Sequence, residues 1–297
     1  MNYRILHRTL YDYAAPVTVS HHVARLEPRI NAAQSRDSFA LEIFPEPARR
    51  TARGDYFGNQ LCFFAIQETH RKLEITTTSR VSVRAQTPPP PEASPAWESV
   101  ARLFRDPVSP DAVEVYQFVF DSPQVRASLE LADYAAGSFA KDAPLLAGAR
   151  DLTRRIFKDF KYDPKATTVA TPLEEVLEKR RGVCQDFAHL AIACLRSLGR
   201  PARYVSGYLR TRPPEGRPRL VGADASHAWF SIFCPGEGWV DFDPTNDVQP
   251  REEHITVAYG RDFGDVSPVA GILTGGGRHA VKVSVDVAEL DADGREK

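Results

Sequence analysis

A cysteine stands where a helix is predicted to begin. Cys184 comes two residues after Gly182, and the apolar residues behind it recur at helical spacing up to Gly199. Residues 171–174 (TPLE) predict the start of a short preceding helix, with a hydroxyl cap and a proline at the first helical position. The first turn of a helix favours an anion, and the thiolate is the reactive form of cysteine. The pattern therefore predicts a nucleophile at Cys184, although a free cysteine is more often a small buried apolar residue.

A histidine and an aspartate follow on a predicted β-hairpin. Residues 226–233 are rich in β-branched and aromatic side chains, and the turn-forming residues 235–238 separate them from a second strand. Counting back from the turn places His227 and Asp243 nearly opposite each other on one face, where Cβ atoms lie about 5 Å apart. The carboxylate can then fix the imidazole tautomer, so that the other ring nitrogen takes the proton of Cys184.

Two rival residues are ranked lower. Asp241 shares the face of Asp243 but lies nearer the turn, opposite Trp229 or Ser231, and is second choice for the carboxylate. His189 lies five residues beyond the cysteine on the same helix, so it is turned around the axis and is expected to be a surface or packed histidine.

A metal site is the alternative for the same residue types. Cys184, His227 and Asp243 include the ligands that zinc accepts, but the sequence has no fourth ligand at a regular spacing. The adjacent His21 and His22 are expected to point to opposite faces of a strand. We therefore predict no metal and no cofactor.

At these positions the sequence resembles the bacterial transglutaminase-like proteins, often described as candidate cysteine proteases, of the transglutaminase core and papain-like superfamily. The resemblance implies that Cys184, His227 and Asp243 are nucleophile, base and orienting residue. Three motifs carry it in the family's order, and their residues are 182–189 (GVCQDFAH), 226–229 (SHAW) and 238–246 (GWVDFDPTN). The segments that also match are 3–28, 199–208 and 255–266.

The strand and helix patterns predict an α+β protein. Short β-rich runs separated by turns predict a sandwich-like domain at residues 1–86, and the proline-rich residues 87–95 predict a linker. Residues 96–297 are assigned to the core, including C-terminal strands. The resemblance implies a transglutaminase-like, papain-like core in which the cysteine helix packs on an antiparallel sheet. Helices are predicted at residues 97–105, 123–137 and 145–160.

Composition limits the classes of partner and compartment. The chain has 297 residues, 42% hydrophobic and 26% charged, with a formal net charge of -1, which gives no reason to expect nucleic acid. No apolar segment is long enough to span a bilayer, so no membrane partner is expected. The four cysteines have no disulfide or zinc spacing, and no secretory signal opens the chain, so a cytoplasmic location is expected.

Several polar loop residues are expected to have no part in the chemistry. Residues 212–218 are predicted to form an exposed loop at the rim of a substrate cleft, and Asp224 a solvated loop carboxylate. Arg261, Asp262 and Asp265 could bind polar groups of a substrate, but a structural ion-pair network is the preferred expectation.

The chemistry expected of such a triad is acyl transfer on peptide or protein amides. Hydrolysis is the preferred outcome, transglutamination or deamidation is the alternative, and a non-catalytic peptide-binding module is a hypothesis of another class. The backbone N–H of Cys184 is one candidate donor to the oxyanion, and Gln185 or Tyr162 is the second. The sequence leaves the oligomeric state open.

Overall fold

The computed structural model describes residues 1–105, 110–211 and 225–297. The expected cleft loop at 212–218 and Asp224 lie outside the described residues. The strands are β1 (Asn2–Ala24), β2 (Gln34–Phe44), β3 (Arg49–Gly54), β4 (Gln60–Ile66), β5 (His70–Val83), β6 (Lys161–Tyr162), β7 (Arg181–Gly182), β8 (Ala202–Leu209), β9 (Ala225–Cys234), β10 (Gly238–Phe242), β11 (His254–Gly260), β12 (Val269–Gly275) and β13 (His279–Leu290). The α-helices are α1 (Trp97–Arg105), α2 (Pro110–Tyr116), α3 (Leu129–Ala136), α4 (Leu145–Asp159), α5 (Leu173–Lys179), α6 (Cys184–Ser197) and α7 (Phe263–Val266). The protein is α+β, as predicted.

The long strand β1 organises an antiparallel sheet that has seven strands in the described residues. Its first half, up to Tyr13, pairs with β5 and β13. Its second half pairs with β12 from Val17 onward and with β4 from Ser20 onward. The sheet curls, and apolar residues from both halves of β1 and from β2, β4 and β5 meet in one buried cluster. A sandwich-like core therefore forms inside a single hydrogen-bonded sheet.

The C-terminal strands belong to this same sheet. The sequence pattern groups them with the core, whereas in the structure β12 and β13 both pair with β1, in a register that places Asn2 opposite Leu290 and Tyr13 opposite His279. The alternating pattern of residues 279–287 predicts a strand but carries no information about its partner. The domain boundaries themselves stay a prediction.

A second sheet has the order β10-β9-β8-β11 and is antiparallel throughout. Helix α6 packs on β8 and β9, and its residues from Asp186 to Arg196 are all buried. Phe187, Leu190 and Leu195 join Phe230 of the sheet in one large apolar core. The predicted packing of the cysteine helix on an antiparallel sheet is therefore confirmed.

The predicted helices agree with the structure in part. Helix α1 has the predicted bounds, and α4 ends one residue before the predicted limit. The apolar stripe of α4 is fully buried and consists of Leu145, Ala149, Leu152 and Ile156. The prediction for residues 123–137 was too long, because α3 begins only after Ser128, whose Oγ accepts a hydrogen bond from the Leu131 N–H at 3.2 Å. The predicted hydroxyl cap of α5 was also wrong. Thr171 Oγ1 accepts from the Thr168 N–H at 2.8 Å instead.

In the parts of the chain that the structure describes, we find no helix that combines the length and the apolar character needed to cross a lipid bilayer.

Candidate active site

The start of α6 positions the sulfur. Helix α6 begins at Cys184, as predicted, and the thiol is free and partly exposed. The carboxylate of Asp186, in the first turn, accepts hydrogen bonds from the Val183 N–H at 2.8 Å and from Thr167 Oγ1 at 2.6 Å. A carboxylate at this position satisfies an unpaired N–H of the helix start. The sequence analysis missed Asp186, although an acid in the first turn was a readable capping signal.

Gly182 provides a test of this arrangement. A Cβ added there would lie 2.7 Å from Asp186 Oδ2 and 2.9 Å from Asp186 Cβ, so alanine must displace the capping carboxylate. We expect Gly182→Ala to lower the free energy of unfolding by about 1–2 kcal/mol, the usual value of a helix cap, and to slow alkylation of Cys184. Urea unfolding and iodoacetamide labelling measure these two effects.

Gly54→Ala is the matched control, because its added Cβ meets no atom within 4 Å. If Gly182→Ala behaved like Gly54→Ala in both measurements, the carboxylate of Asp186 would have no part in positioning the sulfur.

Strand β9 and the end of β10 bring the other two predicted residues together. His227 Nε2 lies 2.7 Å from Asp243 Oδ2, and both side chains are buried. The Cys184 thiol also acts on this ring, because its hydrogen bond and its charge raise the pKa of His227. Since Nε2 faces the carboxylate, Nδ1 is the nitrogen left for the sulfur. The three predicted residues therefore meet in the order sulfur, imidazole, carboxylate.

The register of the hairpin differs from the predicted one. Phe242 pairs with Phe230, so continuing this register sets Asp243 beside Trp229, and the contact with His227 is diagonal. Asp243 also leaves the strand, because its backbone N–H donates to the Val248 carbonyl at 2.8 Å. Counting from the turn placed Asp243 on the correct face of the hairpin but opposite His227, two residues away from Trp229. The sequence does not show which residues pair next to the turn, so the count could not fix the register.

Burial and charge act in opposite directions on this pair. Burial lowers the pKa of His227, but its hydrogen bonds with Asp243 and Cys184 and their charges outweigh burial and raise it to about 10. Burial raises the pKa of Asp243, yet hydrogen bonds from His227 and His254 hold it well below its usual range. At neutral pH the carboxylate is therefore ionised and the imidazole protonated.

Three further groups donate to the same carboxylate. Asn246 Nδ2 lies 2.7 Å and His254 Nε2 3.1 Å from Asp243 Oδ2, while the Thr245 N–H donates to Oδ1 at 2.9 Å. Asn246 follows closely in the sequence and could have been read as part of the aspartate motif. His254 lies on β11, eleven residues away, and no sequence signal connected it to the site.

The two rival residues have other partners. Asp241 accepts hydrogen bonds from Trp229 Nε1 at 3.0 Å and from the Ser231 hydroxyl. His189 is buried and its Nε2 accepts the N–H of Phe263 at 3.0 Å, while burial lowers its pKa to about 4. Asp241 thus fixes neighbouring strand residues, and His189 is a packed histidine, as predicted.

The other polar clusters also have structural contacts. Arg261 Nε pairs with Asp265 Oδ2 at 2.8 Å, as predicted, whereas Asp262 caps α7 by accepting the Gly264 N–H. His22 is buried and stacks on Phe64, and the neighbouring His21 is exposed, so the two rings occupy opposite faces.

A metal ion was considered for the buried histidines. The ligand atoms of His227, Asp243 and His254 all lie within 4.8 Å of one another, a different set from the one the sequence suggested. However, the Nε2 atoms of His227 and His254 both lie within hydrogen-bonding distance of Asp243 Oδ2, at 2.7 and 3.1 Å. This arrangement fits two imidazoles that donate to one carboxylate.

Of the two candidates for the second oxyanion donor, Tyr162 is the one whose hydroxyl is influenced by the charge of the Cys184 sulfur. Its side chain is about half exposed, and burial together with the charge of Cys184 raises its pKa. Gln185, the other candidate, is half-buried beside the cysteine.

Comparisons with known proteins show the family of the chain. Residues 3–82 match the bacterial transglutaminase-like N-terminal region, and residues 132–244 match the transglutaminase-like superfamily. An uncharacterized protein of Mycobacterium tuberculosis is 41% identical over 302 residues, covering 98% of this chain and 94% of the relative. A protein-glutamine gamma-glutamyltransferase of Pseudomonas aeruginosa is 31% identical over 138 residues, covering 44% of this chain and 19% of that protein.

The fold has a solved counterpart. A candidate cysteine protease from Cytophaga hutchinsonii superposes with a TM-score of 0.75 at 22% identity, covering 100% of this chain and 93% of that one. Together with the full-length mycobacterial relative and the two family matches, this places the motifs in a known architecture. The chain belongs to the transglutaminase-like superfamily and carries the bacterial transglutaminase-like N-terminal region.

Proposed function

We propose that the protein is a thiol-dependent acyl-transfer enzyme that hydrolyses peptide or amide bonds. Cys184 is the nucleophile, His227 the acid and base, and Asp243 the residue that orients His227. The observation that carries the proposal is the contact series from the sulfur through the imidazole to a buried carboxylate. The substrate class is a peptide or protein amide, and a cytoplasmic location without nucleic-acid or membrane partners stays a prediction.

The reaction follows from the resting charges. The thiolate of Cys184 attacks the amide carbonyl carbon and forms a C–S bond, and the carbonyl oxygen becomes an oxyanion. His227 gives its proton to the amine as the C–N bond breaks, which leaves a thioester. Water then attacks the thioester and gives a proton to His227. The C–S bond breaks, the acid is released and the thiolate returns.

The carboxylate acts through the imidazole. Asp243 is held by four donors, so it keeps His227 in the orientation in which Nε2 carries a proton and Nδ1 faces the sulfur. It also stabilises the imidazolium, which is the form that protonates the leaving amine.

The oxyanion needs donors as well, each worth about 3 kcal/mol in such sites. We assign the first to the backbone N–H of Cys184, at the start of α6. Tyr162 is the better candidate for the second, because the charge of the sulfur acts on its hydroxyl.

Amide transfer to an amine is the second candidate function. It is favoured by the likeness of part of this chain to the Pseudomonas aeruginosa gamma-glutamyltransferase. Both reactions share the thioester, and they differ in whether water or an amine attacks it.

Mass spectrometry of a peptide library, incubated with and without a primary amine, separates these functions. We expect fragments from cleaved peptide bonds in both incubations. Amine adducts would instead identify a transferase, and loss of ammonia from glutamine a deamidase. If the wild-type protein bound peptides of the library but left them chemically unchanged, the result would support the non-catalytic binding module and contradict the proposal.

A further inference from the structure

His254 has contacts that the proposed reaction leaves unexplained. It opens β11 opposite Leu209 of β8, and its side chain is only 6% exposed. Its ring stands edge-on to Trp229, with 5.2 Å between ring centroids, and its Nε2 lies 3.1 Å from Asp243 Oδ2. A buried imidazole therefore approaches the carboxylate on an oxygen that His227 also uses.

The hydrogen bonds of Asp243 show what this contact supplies. An ionised carboxylate offers about four acceptor positions. Four donors bind this carboxylate, namely His227, Asn246 and His254 on Oδ2 and the Thr245 N–H on Oδ1. His254 ties the carboxylate to β11, whereas His227 comes from the neighbouring strand β9 and the Asn246 and Thr245 contacts come from the carboxylate's own turn.

A carboxylate at the end of a strand needs a further contact that fixes its side chain. Asp243 lies just beyond β10, and the bridge to Val248 holds its backbone. Its side chain can still rotate about two torsions, and a rotation that turned Oδ2 away would remove the partner of His227. The ring of His254 is itself fixed by packing on Trp229, so it donates from a defined position.

We propose that His254 is a positioning residue, which donates from Nε2 to Asp243 Oδ2 and so keeps this carboxylate aimed at His227. The proposal rests on the proposed function, since it concerns the same Cys184, His227 and Asp243. It assigns His254 no contact with substrate.

The test is the rate of alkylation of Cys184 by iodoacetamide between pH 5 and 9, followed by mass spectrometry of the Cys184 peptide. The variants are His254→Gln, whose amide can reach the carboxylate, and His254→Leu, which has no donor. We expect His254→Leu to react about tenfold more slowly than wild type at pH 6, the order expected for one lost hydrogen bond to a charged group. His254→Gln should stay within about threefold of wild type, because the donor is restored.

The control is His22→Leu, which removes a buried histidine from the large sheet, where His22 stacks on Phe64. Cys184 of this variant is expected to be alkylated at the wild-type rate. If His254→Leu kept the wild-type rate and pH profile, or if His254→Gln were as slow as His254→Leu, the proposal would be overturned. Should His254→Leu fail to fold, His254→Asn replaces it, because the shorter amide does not reach Oδ2. Equal rates for the Asn and Gln variants would then overturn it.

Two outcomes separate this inference from the proposed function. If wild-type Cys184 reacts no faster than Cys184 in a His227→Ala variant, the proposed function itself fails. If wild type is fast and insensitive to His254, only the positioning role fails. Zinc bound stoichiometrically by purified wild type and lost in His254→Gln would make His254 a metal ligand and overturn the proposal.

Discussion

Cys184→Ala is expected to abolish turnover of the peptide library and labelling by one equivalent of iodoacetamide. Removal of the nucleophile leaves only substrate binding and oxyanion donors, so the rate should fall by about 10⁴-fold or more. The thiol is partly exposed at a helix start, so the free energy of unfolding should change by less than about 1 kcal/mol. Mass spectrometry of the labelled protein and thermal melting measure these effects.

Cys62→Ala is the matched control, because it removes another free thiol from the buried cluster of the large sheet, away from α6. It should keep full turnover and one labelled site. Equal labelling of wild type and Cys184→Ala by one equivalent of reagent would show that Cys184 is not the reactive thiol.

Asp243→Asn should fold and lose about 10² to 10⁴-fold in rate. The amide nitrogen can donate to His227 Nε2, which forces the proton onto Nδ1, the nitrogen needed by the sulfur. The charge that stabilises the imidazolium is lost as well. The hydrogen bond with Asp243 and the charge of Asp243 are among the causes that raise the pKa of His227. The variant should therefore also show alkylation of Cys184 that rises more steeply between pH 6 and 8, as for an ordinary thiol.

Asp241→Asn is the control for this change. Asp241 bonds to Trp229 and Ser231, so the substitution should keep activity within a few-fold and lower stability by about 1–3 kcal/mol, the cost of weakening buried hydrogen bonds to a charged group. An active Asp243→Asn together with an inactive Asp241→Asn would transfer the orienting role to Asp241.

The local features of this chain were readable in its residues. The apolar spacing behind Cys184 predicted α6, and the stripe of Leu145, Ala149, Leu152 and Ile156 predicted α4, because helical periodicity is a property of neighbours in sequence. The hairpin and the side of the sheet shared by His227 and Asp243 also followed from period-two alternation. The resemblance of three short motifs to one family then predicted the fold.

The sequence alone predicted three candidate reactive residues and determined the elements that carry them. Only the tertiary structure decided which groups surround them. Counting could not fix the hairpin register, a strand pattern could not show that β13 pairs with β1, and no spacing linked His254 to Asp243 across eleven residues. The reason is physical: periodicity reports the face on which a side chain lies, whereas the partner it meets depends on strand pairing between distant segments.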